Sequence, residues 1–276
     1  RVLFRSFMQE YKKMQIKEKE NNEDMSRVIA VANQKGGIGK TTTAVNIAYD
    51  LAEMGRRVLL IDTDGQCNST DTCRARVEGV ATLYDLLFEH ENAEECIQHM
   101  EKLDVIASDK LLKNPETKFP DDATRLFTMR DACEEIREQY DFIVIDTPPS
   151  LGCMLSNALT FADEVVIPVT CDRYGMEGIN DLYVTINATK KYTNRNLRVT
   201  GVLLNKYKER TTLCREISNG LPEVLKMFDT TVFDTKVREC EDCKKAQSAR
   251  MSVQAYNSSC STAKDYWRVC EEIIGR

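Results

Sequence analysis

The sequence predicts an α/β chain, a doubly wound and mostly parallel sheet flanked by helices. Three observations carry this expectation. Apolar runs of strand length recur at Val28-Ile29-Ala30-Val31-Ala32, Val58-Leu59-Leu60-Ile61, Phe142-Ile143-Val144-Ile145, Val165-Val166-Ile167 and Val202-Leu203-Leu204. Segments with apolar residues at helical spacing alternate with them, as βαβ units require. The first run opens onto a glycine-rich turn and the next two end in aspartates, which is where open α/β sheets place their ligands.

Composition sets the outer limits. A chain of 276 residues with 42% hydrophobic and 30% charged residues suits one large α/β domain. No uninterrupted apolar segment is long enough to span a bilayer, and the chain does not open with a signal peptide's charged and then apolar regions. The 11 cysteines are scattered, so reduced thiols in a cytosol fit better than a disulfide framework. A formal net charge of -6 argues against a whole-surface nucleic-acid binder and leaves room for a local basic patch. Residues 1–24 are polar and charge-rich and read as a disordered or non-native tail. A basic arm touching DNA is the competing reading. The remainder, 25–276, reads as one domain.

The first strand leads into Gln34-Lys35-Gly36-Gly37-Ile38-Gly39-Lys40-Thr41-Thr42, and a helix follows from Ala44. Strand, glycine-rich turn and helix form a phosphate cradle. Glycines let backbone N–H groups converge on an anion, and the helix N-terminus adds positive potential. Gly36, Gly37, Ile38, Gly39, Lys40, Thr41 and Thr42 are therefore the expected phosphate-binding residues. Lys40 would reach the β- and γ-phosphates, and the Thr41 hydroxyl would ligate Mg²⁺. An ordinary P-loop has glycine where Gln34 stands. With Lys35 in addition, the stretch is the deviant Walker A motif.

The second strand ends at Asp62-Thr63-Asp64. The two carboxylates share a face if the strand continues, one towards a Mg²⁺ water shell and one towards the γ-phosphate. Leu83–Leu87 reads as helix, Leu103–Ala107 as a short strand, and about Ala123 to Tyr140 as one helix. The strand ending at Asp146-Thr147-Pro148-Pro149 makes a Walker B element, with Asp146 holding Mg²⁺. Gly175-Met176-Glu177-Gly178 opens another helix. The last strand ends at Asn205, whose amide has the donor and acceptor to read an adenine edge. A turn-forming role for Asn205 stays open. His90 and His99 have no metal-ligand neighbours. Cys240-x-x-Cys243 is a single pair with no second pair nearby in sequence, so incidental thiols are expected there rather than zinc.

Lys35-Gly36-Gly37-Ile38-Gly39-Lys40-Thr41-Thr42, Ile61-Asp62-Thr63-Asp64-Gly65-Gln66-Cys67-Asn68 and Ile145-Asp146-Thr147-Pro148-Pro149 resemble the ParA/Soj partition ATPases. The likeness runs from about Ser26 to the end and is dense through Thr170. It implies an ATP-sandwich homodimer using ATP and Mg²⁺, with Lys35 crossing to the partner's phosphates. Asp64 would position water, with Asp62 near the metal. The ATP-bound dimer would bind non-specific DNA, placing the protein in the cytoplasm on the nucleoid, and a ParB-like partner would stimulate hydrolysis. Two departures stand out. The family usually has Pro and Gly at Gly65 and Cys67. Its segment rich in Pro, Arg and Ser is replaced here by Lys236–Ser248, with loss of one DNA arginine. Arg210 matches the other, and Lys244, Lys245 and Arg250 could substitute, since phosphate contacts need charge. A MinD-like membrane role is the rival. It predicts a basic amphipathic helix at the C-terminus, where this chain has Glu271-Glu272. A slow ATP-dependent DNA-binding regulator is another alternative.

Overall fold

Strands β1 (Arg27–Val31), β2 (Val58–Asp62), β3 (Ile97–His99), β4 (Asp104–Ile106), β5 (Phe142–Asp146), β6 (Glu164–Thr170) and β7 (Arg198–Asn205) form one sheet. They lie in the order β3-β4-β2-β5-β1-β6-β7. All pairings are parallel except the edge pair β3/β4. This is the doubly wound sheet the alternating pattern predicts. The computed structural model describes residues 26–276 apart from 209, 227 and 228. The tail expected over 1–24 lies outside the described residues.

Why these runs form strands follows from burial on both faces, which replaces polar alternation by continuous Val, Ile and Leu. Along β1, Val28 and Ala30 enter one apolar core, and Ile29 and Val31 enter the other. The second core is closed by α1 (Lys40–Glu53), through Ala44, Val45, Ile47, Ala48 and Leu51, and by α11 (Ser261–Gly275), through Tyr266, Val269, Cys270 and Ile273. The first is covered by α5 (Thr128–Arg137), α6 (Cys153–Phe161), α7 (Arg173–Tyr192) and α8 (Thr212–Leu225). Short helices α2 (Asn68–Thr72), α3 (Leu83–Phe88) and α4 (Ala93–Cys96) follow β2, and α9 (Glu241–Ser248) and α10 (Val253–Asn257) precede α11.

One expectation is corrected in detail, and one element had no expectation. The single helix expected from Ala123 to Tyr140 is a 3₁₀ turn at Ala123–Leu126 followed by α5, with Asp122 capping the turn through Thr124 N. β3 has no strand signal in sequence, because three residues are too few to show a period.

Carboxylates cluster at the amino ends of the strands, away from the glycine-rich loop. Arg57 binds Asp141 at 2.7 Å, Arg137 binds Asp163 at 2.7 Å, and Arg27 and Arg198 converge on Glu164 at 2.6 and 2.9 Å. Burial pushes the Glu164 carboxyl up, but the hydrogen bond from Arg27, its charge, Thr200 and Arg198 together outweigh that and hold it low. Asp163 also accepts from Val28 N at 2.8 Å, tying this belt to the backbone of β1.

Candidate functional site

β5 lies between β1 and β2, so the three functional loops emerge side by side. Asp146 is the register partner of both Val31 and Asp62. The glycine-rich loop leaves β1 and enters α1 through Gly39, whose φ of 92° is a left-handed conformation that glycine adopts without strain. A Cβ there would also lie 2.5 Å from Asn205 Nδ2. The loop thus needs glycine at this point for backbone shape and for clearance.

A cavity of about 450 Å³ opens above it. Gly36, Gly37, Gly39, Lys40, Thr41, Thr42, Asp64 and Asn205 line it, so most of the expected nucleotide-binding residues meet at one place. Ile38 turns inward and is buried, anchoring the loop. Lys40 is nearly buried and its Nζ donates to Lys35 O at 3.1 Å. Burial lowers the Lys40 pKa against the pull of Asp146 and Asp64.

Asp146 and Asp62 are both fully buried. Burial pushes both pKa values up, helped by the charge of Asp146 at Asp62 and by the charge of Asp64 at Asp146. Asp146 Oδ2 accepts from Ser69 Oγ at 2.5 Å, and the Thr41 hydroxyl lies alongside the carboxylate. Its Oδ1 is buried and has no hydrogen-bond partner. A buried acceptor left open beside a threonine hydroxyl suits a divalent cation, so Thr41 and Asp146 fit the metal role expected of them.

Asp62 is placed differently. Its Oδ1 accepts from Asp64 N at 3.1 Å, and its Oδ2 accepts from Thr70 N and Thr70 Oγ1 at 2.9 and 2.8 Å. Both oxygens are engaged in shaping the loop that presents Asp64. Asp64 Oδ1 accepts from Gln66 N at 2.9 Å, and Ser108 Oγ donates to Asp64 O.

Asn205, expected either to read a base or to form a turn, is bonded to the phosphate loop. Its Nδ2 donates to Ile38 O at 3.0 Å and to Thr43 Oγ1 at 3.3 Å, and its Oδ1 accepts from Lys206 N. The amide braces the phosphate loop from behind. Lys206 Nζ adds a bond to Gly37 O at 2.6 Å.

The outer wall is the part that sequence reasoning missed. Val237, Arg238, Glu239, Cys240, Cys243, Lys244 and Gln247 all line the cavity. The segment replacing the family's usual one therefore encloses the cleft. It is docked because Val237 N donates to Leu204 O at 2.8 Å, extending the edge of β7, and Arg238 pairs with Asp265 at 2.6 Å. The polar face of α1 receives it: Gln247 Nε2 donates to Thr42 Oγ1 at 2.6 Å, Val253 N to Asn46 Oδ1 at 2.8 Å, and Thr43 Oγ1 meets Tyr266 OH at 3.2 Å. Three polar residues on one face of a helix, Thr42, Thr43 and Asn46, were the available signal.

The cations expected to form a basic patch stand beside carboxylates. Lys244 faces the cleft beside Glu241 (3.9 Å), Lys245 lies near Asp242 (3.8 Å), and Arg250 pairs with Asp71 at 2.8 Å. Each of the three cations has an acidic neighbour. Arg210 is exposed in the turn before α8.

Comparison with known proteins supplies the rest. Residues 26–199 match the family model described as an AAA domain. The chain is 36% identical to the sporulation initiation inhibitor protein Soj of Bacillus subtilis, over 90% of this chain and 98% of that protein. It is 36% identical to the chromosome partitioning protein ParA of Caulobacter vibrioides, over 91% of this chain and 94% of that one. The chain belongs to the ParA/Soj family of partition ATPases. A solved cobyrinic acid a,c-diamide synthase from Mycobacterium smegmatis, with bound ATP analogue and magnesium, superposes with a TM-score of 0.78 at 26% identity, covering 91% of this chain and 97% of that one. This ParA-type ATPase thus carries its family's phosphate loop on a sheet of the expected topology. Among its described residues no helix is long and apolar enough to cross a membrane.

Proposed function

We propose that this ATPase acts as an ATP-sandwich homodimer that binds non-specific DNA in its ATP state and releases it when a ParB-like partner stimulates hydrolysis. It would work in the cytoplasm on the nucleoid, as one domain running from about residue 25 to residue 276. ATP and Mg²⁺ are its cofactors. The loop amides and Lys40 bind phosphate, and Thr41 and Asp146 hold the metal, which would neutralise charge on the transferred phosphoryl group. Asp64 borders the cavity, where its carboxylate can position the attacking water. Asp62 acts through the loop that presents Asp64. A base-reading role for Asn205 requires release of its bonds to Ile38 and Thr43.

One observation supports the dimer above others. Lys35 belongs to the phosphate loop yet is not among the residues lining this chain's own cavity. Its Nζ instead pairs with Asp172 Oδ1 at 2.6 Å. A cation directed away from its own cleft could reach a facing one by exchanging Asp172 for a phosphate. Supplied in trans, such charge contributes on the order of 10³–10⁵ in rate in related phosphoryl transfers. α11 itself does not offer its apolar residues to a membrane, since Tyr266, Val269, Cys270 and Ile273 are buried in the core.

Light scattering of Asp64→Ala with Mg-ATP tests the reading. The variant should accumulate as an ATP-bound dimer while turnover falls about 10²–10⁴-fold. A gel shift with ATP, ADP and no nucleotide should show DNA bound in the ATP state alone, and Arg210→Glu should weaken it for every sequence alike. A chain that stays monomeric in saturating Mg-ATP would overturn the proposal.

A further inference from the structure

The cysteine pair that looks isolated in sequence acquires a third thiol in the fold. Cys260 belongs to a small buried cluster with Ala246, Val253 and Ala263, and Cys240 and Cys243 pack against it. The sulfurs of Cys240 and Cys260 and a carboxylate oxygen of Asp242 all lie within 4.8 Å of one another, and the three residues are half-buried. We propose that Cys240, Asp242 and Cys260, with Cys243 as fourth ligand, form a zinc site in the outer wall of the nucleotide cleft.

The donor set suits that ion. Two or three thiolates and a carboxylate around one point match the soft-to-borderline chemistry of Zn²⁺ rather than Mg²⁺ or Ca²⁺. Tetrahedral zinc with bonds of about 2.3 Å to sulfur needs ligand atoms about 3.8 Å apart. The ligand atoms of Cys240, Asp242 and Cys260, within 4.8 Å of one another, would draw together to that separation on binding.

Local structure orients the ligands. Cys240 stands just ahead of α9, and Cys260 just ahead of α11, where its sulfur accepts from Ala263 N at 3.5 Å. That N–H partly offsets the burial that raises the Cys260 thiol, and a bound ion would displace the proton. Asp242 is oriented by Asn257, whose Nδ2 donates to its Oδ2 at 2.7 Å, an outer partner of the kind that holds metal-ligating carboxylates. On binding, each ligating thiol gives its proton to solvent, so affinity rises with pH.

The position gives the site a purpose. Cys240 and Cys243 line the same cavity as Lys244 and Gln247, and the ion would fasten α9 to the start of α11. Such a clasp sets how firmly the outer wall stands. The inference is independent of the dimer and DNA reading, since it concerns metal affinity alone.

The test uses the full chain, reduced and freed of metal by a chelator, titrated with Co²⁺ and then with Zn²⁺ alone. We expect one tetrahedral thiolate–cobalt spectrum per chain, displaced by Zn²⁺, and a melting temperature raised by Zn²⁺. Cys240→Ser and Cys260→Ser should lose the spectrum, Asn257→Ala should weaken Zn²⁺ binding about 10–100-fold, and Cys67→Ser should change nothing. No thiolate–cobalt band in the wild type would overturn the proposal. So would a band that survives the Cys240→Ser/Cys260→Ser double variant. A Cys240–Cys260 disulfide formed by a chain that binds no metal when reduced would do the same. The wild-type titration decides even where a serine variant fails to fold.

Discussion

The two walls of the nucleotide cleft are built on different principles. The inner wall is local: Lys35 to Thr42 supplies backbone amides, a cation and a hydroxyl from consecutive residues, as anion binding by a turn and helix start demands. The outer wall, Val237 to Gln247, has no motif. Hydrogen bonds donated to Leu204, Thr42 and Asn46 and an ion pair to Asp265 hold it or its flanks in place. The inner wall should therefore fail outright when one residue is lost, whereas the outer wall should yield gradually.

The largest effect is expected at Lys40. Lys40→Ala removes the buried cation of the inner wall and should weaken ATP binding by about 100-fold or more, given roughly 1.5–3 kcal/mol for a charged hydrogen bond and further loss of Coulomb attraction. Calorimetric titration with an ATP analogue measures it; a near-normal affinity would erase the contrast between the walls.

Next comes Asp50, on the helix both walls share. Its two carboxylate oxygens are buried without hydrogen-bond partners, and burial, with Glu53 nearby, pushes its pKa up to about 8. The folded chain therefore holds a proton on Asp50 that the unfolded chain gives up above about pH 4. Stability contributed by this group is full at low pH and is lost as pH rises towards 8, by up to about 1.4 kcal/mol per pH unit. Asp50→Asn should flatten that slope and stabilise the protein at the alkaline end, as read from urea midpoints across the range. An unchanged slope would mean that the carboxylate finds a partner.

Gln247→Ala probes the outer wall itself. Losing one neutral hydrogen bond to Thr42 should weaken nucleotide binding only a few-fold, from about 0.5–1.5 kcal/mol. A loss as large as that of Lys40→Ala would show that the outer wall is as indispensable as the inner.

The smallest effect is at Cys67, a non-glycine residue with a φ of 56°. Cys67→Gly should stabilise the loop after β2 by up to about 1 kcal/mol, since left-handed backbone costs a side chain roughly 1–2 kcal/mol and glycine returns part of that as chain entropy. Thermal melts would register it.

Legibility in the sequence divides along the same line. β1, β2 and β5 could be read because each is an apolar run closed by a functional loop, and the Lys40, Thr41 and Asp146 roles follow from chemistry that tolerates few residue types. Asn205 was read as a base contact because sequence shows its amide but not the carbonyl of Ile38 beside it. Lys244, Lys245 and Arg250 looked like a patch because Asp71, one of their acidic neighbours, lies far along the chain. Cys260 was invisible as a neighbour of Cys240 because only the docking of α11 brings it there. The loop after β2 carries a paired adjustment: Gly65 leaves no room for a side chain against the backbone of Lys113, and Cys67 takes the strained conformation. A difference from the usual family residues at one position is thus matched by a difference two residues on.

The belt of arginines beneath the sheet has a mechanical corollary. Strands distant in sequence are stitched by ion pairs at this margin, like pages held at a spine, with Glu164 as the buried stitch. Strain that a bound triphosphate introduces should then fan out from the opposite margin. Displacements should grow with height above the spine and be greatest in the turns that follow β6 and β7.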